Sequence, residues 1–210
     1  MMKKLFLLST LSITMAACGG DKTASNTKVE DSKPAETKVA PALDKKAEVE
    51  GAKTITKAFG GALKAELQKA MKSGGPIKAL AVCNEKAMPI TAQVAKEKNA
   101  QLSRVSLKNR NPNNAPNEWQ KKVLEDFDKR AAAGEDIAKM GFSEIIETNG
   151  KKQLHFMKAL PTGKVCLACH GSEIAGNVQE KLAELYPQDK AVGYALGQVR
   201  GAVVVIKDIN

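Results

Sequence analysis

The chain has 210 residues, of which 43% are hydrophobic, and this suits one globular domain with a core and flexible extensions. Aromatic residues make up only 4%, which argues against a protein that stacks nucleic-acid bases on aromatic rings, so no nucleic-acid partner is expected. The formal net charge is +10, and we interpret the excess lysine as a solvated surface; attraction to an anionic lipid surface or an acidic redox partner is the alternative.

The N-terminus has the pattern of an export signal. Two lysines precede an apolar run, residues 5–15, which is too short to span a bilayer comfortably and has the length of a signal-peptide core. The run leads to Ala16-Ala17-Cys18-Gly19-Gly20, which resembles the lipobox of bacterial lipoproteins. The resemblance implies that residues 1–17 are removed and that acyl chains on Cys18 hold the protein on the periplasmic side of a membrane, with the outer membrane favoured. The alternative is a plain secretory signal with an incidental cysteine.

Residues 18–50 are predicted to form a disordered tether behind the lipidated cysteine. They consist mainly of lysine, threonine, alanine, glutamate, proline and serine, with hardly any large apolar side chain. Such a segment buries too little surface to offset the entropy lost on ordering, and it gives reach from the membrane. A folded domain is predicted over residues 51–210.

Three helices are predicted in the first half of this domain, over residues 55–71, 77–94 and 119–127. In the first, apolar residues recur every four positions and form one helical face, which ends at Ser73-Gly74-Gly75-Pro76. Pro89 should kink or divide the second helix. A loop rich in asparagine and proline, residues 109–117, precedes the third helix, which should stop near Gly134.

The apolar period then changes to that of strands. Residues 142–146 and 154–157 flank Asn149-Gly150, which predicts a β-hairpin. A short helix is predicted over residues 178–185, and the β-branched run at 198–206 predicts a buried strand. Helices first and strands later predict an α+β fold with an antiparallel sheet.

The segment Cys166-Leu167-Ala168-Cys169-His170 has the C-x-x-C-H spacing of c-type haem attachment. Two thiols three positions apart can form thioethers with the two vinyl groups of one porphyrin, and His170 is then held beneath the iron as an axial ligand. The export signal supports this prediction because it places the chain where such attachment occurs. We therefore expect one covalent haem c, and Gly171 after the histidine is expected to let the backbone turn away.

These cysteines have two alternative uses besides haem attachment. The C-x-x-C pair could be a thiol–disulfide redox site, although the βαβ pattern of such proteins is missing. Cys83, Cys166, Cys169 and a histidine could bind structural zinc, although adjacent Cys169 and His170 are awkward joint ligands of one tetrahedral ion.

The residues alone leave the second axial ligand open. Cys83 shares a helical stripe with Leu80 and should point inward, either as a small buried hydrophobe or as an iron ligand. The other candidates are His155, Met157 and Met88, and an open iron site is a further alternative. A peroxidase-like enzyme would need an open iron site and a distal acid–base group, which only His155 could supply, so an enzyme is not expected.

Four segments together are similar to one family: residues 81–87, 104–116, 156–162 and 199–202. They resemble the family of periplasmic PAS-like domains that carry a single c-type haem. The resemblance implies a PAS-like fold with N-terminal helices and haem iron bound by His and Cys, which by position makes Cys83 the second axial ligand. A thiolate favours ferric iron, so a low-spin haem of low potential is expected.

Arg104 and Arg110 are candidates for contacts with the haem propionates, because guanidinium pairs well with carboxylate, or they are ordinary surface arginines. Trp119 is expected in the core or against the haem. The PAS-like resemblance favours redox or small-ligand sensing, with a simple one-electron carrier as the alternative. No kinase, cyclase or transmembrane segment follows in this sequence, so the expected partner is a separate redox or signalling protein.

Overall fold

An antiparallel sheet of four strands in the order β1-β4-β3-β2 forms the centre of the protein in a computed structural model, which describes residues 44–209. The strands are β1 (Gln101–Val105), β2 (Gly141–Thr148), β3 (Lys151–Pro161) and β4 (Val199–Ile209). β2 and β3 form the predicted hairpin, in which Asn149 and Gly150 have the positive φ values, 53° and 72°, that a two-residue hairpin turn requires. Helices surround this sheet, which confirms the predicted α+β fold.

The helices are α1 (Lys45–Glu85), α2 (Ala87–Glu97), α3 (Glu118–Ala132), α4 (Leu167–His170) and α5 (Gly176–Leu185). α1 begins before the boundary predicted near Gly51. The side chain of Asp44 accepts hydrogen bonds from the backbone N–H groups of Lys46 and Ala47, and this cap starts the helix. The structure therefore takes the last residues of the predicted tether into the folded domain.

α1 consists of two helical limbs joined at Gly74 and Gly75. Both glycines leave the helical region, with a φ of 63° at Gly75, at the place where the sequence predicted a break. Lys86 Nζ lies 2.8 Å from Glu66 Oε2, whereas 20 residues of straight helix would separate them by about 30 Å. The two limbs therefore run side by side in opposite directions.

The break between α1 and α2 falls at Lys86, three residues before Pro89. Proline has no N–H to donate to the carbonyl of Glu85, and its ring clashes with that carbonyl in a continuous helix. The prediction that Pro89 divides this region is therefore correct, with the division one turn earlier than the proline itself. Pro89 stands in the first turn of α2, where its missing N–H costs little.

β1 is a strand that the sequence pattern did not predict. It has only five residues, among them the polar Gln101, Ser103 and Arg104. Its pairing with β4, from Gln101↔Ile206 to Val105↔Ala202, is made by the main chain. Such pairing depends on a partner about 100 residues away, so local residue preference carries little signal for it.

Each face of the sheet carries its own apolar layer. One layer, beneath α1 and α2, contains Ala52, Ile55, Phe59, Val94, Leu154, Phe156, Val203 and Val205. The other, beneath α3, contains Val123, Leu124, Phe127, Met140, Met157, Ala159, Ala202 and Val204. Successive residues of β4 serve opposite faces, which explains its continuous β-branched run.

Within residues 44–209, no helix has the length and apolar character needed to cross a bilayer. The predicted signal peptide, residues 1–17, and the predicted lipidation site, Cys18, lie outside the described residues.

Candidate functional site

A cavity lies where the two limbs of α1 meet one end of the sheet and the C-x-x-C-H segment. Its apolar wall consists of Leu63, Leu67, Met71, Ala79, Leu80, Val105, Leu160 and Val165. Its polar lining includes Cys83, Arg104, Ser106, Asn109, Arg110, Asn114, Cys166, Cys169, His170 and Arg200. The structure thus brings the predicted thiols, the histidine and both predicted arginines to one cavity.

The C-x-x-C-H segment folds as one tight helical turn. A 3-10 turn, Lys164–Cys166, leads directly into α4, so that Cys166 and Cys169 are three positions apart along the same turn. Both thiols are half-buried, both line the cavity, and neither forms a disulfide. This places two nucleophilic sulfur atoms at the cavity wall.

The expected reason for Gly171 was wrong. Its φ is −71°, which any residue adopts, so no special backbone freedom is used here. The reason is space: a Cβ at this position would lie 2.7 Å from the carbonyl oxygen of Leu167. Glycine therefore allows the chain to leave α4 while passing close to the carbonyl oxygen of Leu167, the first residue of that helix.

The His170 ring is held in the orientation that a metal-binding imidazole needs. Its Nδ1 lies 2.7 Å from the carbonyl oxygen of Ala191, which can only accept, so Nδ1 carries the proton and Nε2 carries the lone pair. Burial lowers the pKa of His170 to about 3, with further lowering by the nearby Arg200 and Arg110. The ring is therefore neutral at ordinary pH, and the lone pair of Nε2 is available to bind a metal ion.

The side chain of Arg110 links the C-x-x-C-H turn to the loop that precedes β4. The guanidinium of Arg110 donates to Asp189 Oδ2 at 2.9 Å and also to the carbonyl oxygens of Cys169 and Ala191. The side chains of this Arg110–Asp189 pair are only 9% and 11% exposed, so it is a buried, multiply bonded ion pair.

The same loop also holds the end of α4 through its backbone. The N–H of Tyr194 donates to the carbonyl of His170 at 2.8 Å, and the N–H of Gly193 donates to that of Gly171 at 2.9 Å. The Tyr194 ring stands edge-on to the His170 ring, with centroids 6.2 Å apart. These supporting residues carry no recognisable sequence pattern, because most of them act through backbone atoms.

Cys83 lies on the second limb of α1 and lines the cavity from a different wall than His170. It is half-buried and forms no disulfide. Burial raises the pKa of the Cys83 thiol, and the positive charges of Arg104, Arg110 and Arg200 act in the opposite direction. The only cysteine in the described chain outside the C-x-x-C-H segment is therefore at the same cavity.

The other candidate ligands do not reach this cavity. His155 and Met157 are on the face of the sheet that α3 covers, where the His155 ring lies 5.0 Å from that of Trp119. Met88 is exposed on α2 and is not among the lining residues. Trp119 packs against the core of that face, beside Phe142, rather than at the cavity.

Arg200 is a cavity residue that the sequence analysis did not single out. The sequence signal that could have found it is a charged residue followed by glycine at the start of a β-branched strand, because such an interruption often marks a β-bulge.

Among residues 44–209, no three His, Cys, Asp or Glu side chains come close enough to share one metal ion.

The lining residues fit a c-type haem. The apolar wall suits a porphyrin ring, the two thiols suit its vinyl groups, and a neutral imidazole with a free Nε2 suits its iron. Among residues 44–209, no aspartate or glutamate lines the cavity, while three arginines do, so its charge suits an anionic cofactor.

The fold and the site define a PAS-like α+β domain in which a C-x-x-C-H turn faces an arginine-lined cavity. The chain belongs to the Tll0287-like family, whose model matches residues 22–207. This confirms the family resemblance found in the sequence.

The fold is shared with a solved structure, the cyanobacterial haem protein Tll0287, at a TM-score of 0.52 and 23% identity. The match covers 79% of this chain and 94% of that one. A comparison with curated proteins gives no match.

Proposed function

We propose that this protein carries one c-type haem, joined by thioethers to Cys166 and Cys169, with His170 Nε2 as an axial ligand of the iron. The observation that carries this proposal is that both thiols and a neutral, correctly oriented imidazole line one cavity. Membership of the Tll0287-like family and the fold shared with a haem protein support it. The haem supplies a one-electron change at iron and a site for small ligands.

Cys83 is proposed as the second axial ligand. Three observations support it over the alternatives: it lines the cavity, it belongs to a different wall from His170, and His155 and Met157 lie on the other face of the sheet. Burial raises the pKa of the Cys83 thiol, and Arg104, Arg110 and Arg200 only oppose that rise, so the thiolate form would come from coordination to the iron.

The proposed role is redox or small-ligand sensing. Cys83 belongs to a short helical limb that is bounded by the Gly74–Gly75 break and by the break at Lys86. A ligand on a segment with a break at each end can leave the iron without disturbing the sheet. The alternative role, a one-electron carrier, is favoured by Val165, which lines the cavity beside Cys166 and is 50% exposed, so that a cofactor edge would lie near the surface.

The proposed location is the periplasmic side of a membrane, with anchoring through acyl chains on Cys18 and outer-membrane placement favoured. This rests on the lipobox resemblance and on the oxidising, haem-attaching compartment that the C-x-x-C-H motif needs. A Cys18→Ser variant should move from the membrane fraction to the soluble periplasmic fraction. The partner of the wild-type protein is proposed to be a separate redox or signalling protein.

Haem attachment is tested by expressing the exported protein with a c-type maturation system and extracting it with acidified acetone. The wild type should keep its pigment through extraction, because thioethers are covalent. The Cys166→Ala/Cys169→Ala double variant should lose it. A wild type that is colourless, or that releases its haem on extraction, would contradict the proposal.

The second ligand and the role are tested on the same preparation. Cys83→Ala should keep covalent haem but lose the optical and electron-spin-resonance signature of ferric thiolate ligation, while His155→Ala, the matched control, should keep it. CO mixed with the reduced wild type should bind and displace the ligand if the protein is a sensor. Failure of CO to bind would favour the electron carrier instead.

A further inference from the structure

We propose that Arg104 and Arg200 form a carboxylate-binding site on the cavity wall, and that it takes the propionate groups of the haem. This inference rests on the proposed function, since the propionates belong to the proposed cofactor. It replaces the pair expected from sequence, Arg104 with Arg110, because the guanidinium of Arg110 is already bound to Asp189 and to two backbone carbonyls.

A β-bulge turns Arg200 toward the cavity. In the pairing of β3 with β4, Leu160 is opposite Gly201 and Pro161 is opposite Val199, so Arg200 is an extra residue without a partner. Val199 and Ala202 both pack on the α3 side although they are three positions apart, which a regular strand does not allow. The bulge therefore places the Arg200 side chain on the opposite side, where it lines the cavity.

Gly201 makes this bulge possible. Its φ is +151°, and a Cβ there would lie 2.3 Å from the carbonyl oxygen of Val105 on the neighbouring strand. β1 thus approaches β4 so closely at this point that only glycine fits. The same close approach brings Arg104, the residue before Val105, to the cavity beside Arg200.

Both guanidinium groups lack an anionic partner among residues 44–209. Arg104 makes no hydrogen bond or ion pair there, and its guanidinium carbon lies 5.9 Å from the centre of the Phe59 ring. Arg200 donates from Nη1 only to neutral oxygens, Ser106 Oγ at 3.1 Å and the Lys108 carbonyl at 3.4 Å, and its Nε is buried without a partner. A half-buried charge without a counter-ion is unfavourable, and an anionic group of a ligand would neutralise it.

The charge of the proposed haem matches this deficit. The three positive charges of ferric iron are cancelled by two on the porphyrin ring and one on a thiolate, which leaves the two propionates as its net charge. The guanidiniums of Arg104 and Arg200, which have no carboxylate partner among residues 44–209, would each pair with one of the two propionates. Arg–carboxylate pairs are strong and directional, so they also set how the ring lies in the cavity.

The experiment is redox titration of the haem-loaded protein as a function of pH, with the variants Arg104→Gln, Arg200→Gln and Arg200→Lys. Arg130→Gln is the matched control, since Arg130 is bound to Asp126 and Glu135 on the surface of α3. Loss of a positive charge beside the haem favours the ferric state, so the potential should fall. The expected shift is at least tenfold in the ferric-to-ferrous ratio, or about 59 mV for a one-electron couple.

The pH profile separates charge pairing from a structural effect. Without its guanidinium, a propionate has a higher pKa and takes up a proton within the range pH 5 to 8. The potential of the Gln variants should therefore rise as pH falls, while that of the wild type stays flat. Arg200→Lys keeps the charge and should restore most of the flat profile. Within residues 44–209 Arg104 makes no hydrogen bond, so Arg104→Gln is expected to fold and load even if Arg200→Gln does not.

Three results would overturn the assignment, and they are distinguishable. Fully loaded Gln variants with wild-type potential and pH profile would overturn this site alone. A shift of the wild-type potential on titration with succinate at constant ionic strength would show that the site takes free carboxylates instead of propionates. A wild type without haem would overturn the proposed function together with this site.

Discussion

The two faces of the sheet are covered by similar apolar residues, but one forms a closed layer and the other opens into a cavity. On the α3 face, Phe127, Met140 and Met157 are fully buried and the layer is closed. On the α1 face, the layer is closed around Phe59 but opens into a cavity near Leu67. The closed layer stabilises the sheet, while the open end leaves apolar wall and charged groups for a ligand.

One helical stripe passes from the closed region to the open one. Ile55 and Phe59 are buried in the α1 layer, whereas Leu67 and Met71, farther along the same stripe, are half-exposed and line the cavity. The residues are alike in spacing and in chemistry. The difference arises because α1 turns back at Gly74 and Gly75 and leaves a gap where its limbs meet the C-x-x-C-H turn.

The largest effect is expected from breaking the closed layer. Phe127 is 0% exposed, so Phe127→Ala removes a ring from a packed core and should reduce the free energy of unfolding by about 3–5 kcal/mol. Urea denaturation followed by circular dichroism measures this loss. The loss should be the same with and without haem, because Phe127 is on the face away from the cavity.

Leu67→Ala is the matched change on the open side. In the haem-free Cys166→Ala/Cys169→Ala background it should cost only about 1 kcal/mol, since the side chain is half-exposed there. In the haem-loaded protein the cost should be larger, because the ring would cover Leu67. An equal cost in both backgrounds would show that the cofactor does not cover this wall.

The second largest effect concerns the bulge that separates the two faces. Gly201→Ala combines an unfavourable φ with a Cβ 2.3 Å from a backbone oxygen, and we expect a loss of about 3 kcal/mol. Gly197→Ala is the control: its φ is +79°, but the Cβ would meet no atom within 4 Å, so about 1 kcal/mol is expected. Equal losses at the two positions would mean that the close approach of β1 to β4 is unimportant. Thermal unfolding of both variants makes the comparison.

The smallest effect concerns pH and His155 on the closed face. Burial lowers the pKa of His155 below its ordinary value of 6.5, partly opposed by Glu144. The unfolded chain then binds more protons than the folded one, so stability should fall as pH drops through 6.5. His155→Gln should reduce this dependence between pH 7 and 5, measured by urea denaturation. His170 is present in both proteins and cancels in the difference, so identical slopes would contradict the expected shift.

Local patterns predicted the elements whose cause is local. The Asn149-Gly150 turn, the break at Gly74 and Gly75, and the end of α3 before Gly134 all follow from backbone preferences of single residues. The C-x-x-C-H turn belongs to the same class, because its two thiols and histidine are neighbours in sequence. β1 could not be predicted in this way, because it exists through its pairing with a distant strand.

The sequence by itself determined the class of this protein. The spacing of Cys166, Cys169 and His170, and the family segments around them, indicate a cofactor type and a fold without any long-range information. The sequence also offered Cys83, Arg104 and Arg110 as site residues, but only the tertiary structure separated His155 and Met157 from the cavity and added Arg200 to it. Cys83, Arg104 and Arg200 come to one cavity from a helix and two strands, whereas His155, similar in chemistry to His170, faces the opposite side of the sheet. The physical reason is that side-chain direction depends on strand register, bulges and helix breaks, which are set by packing between distant segments.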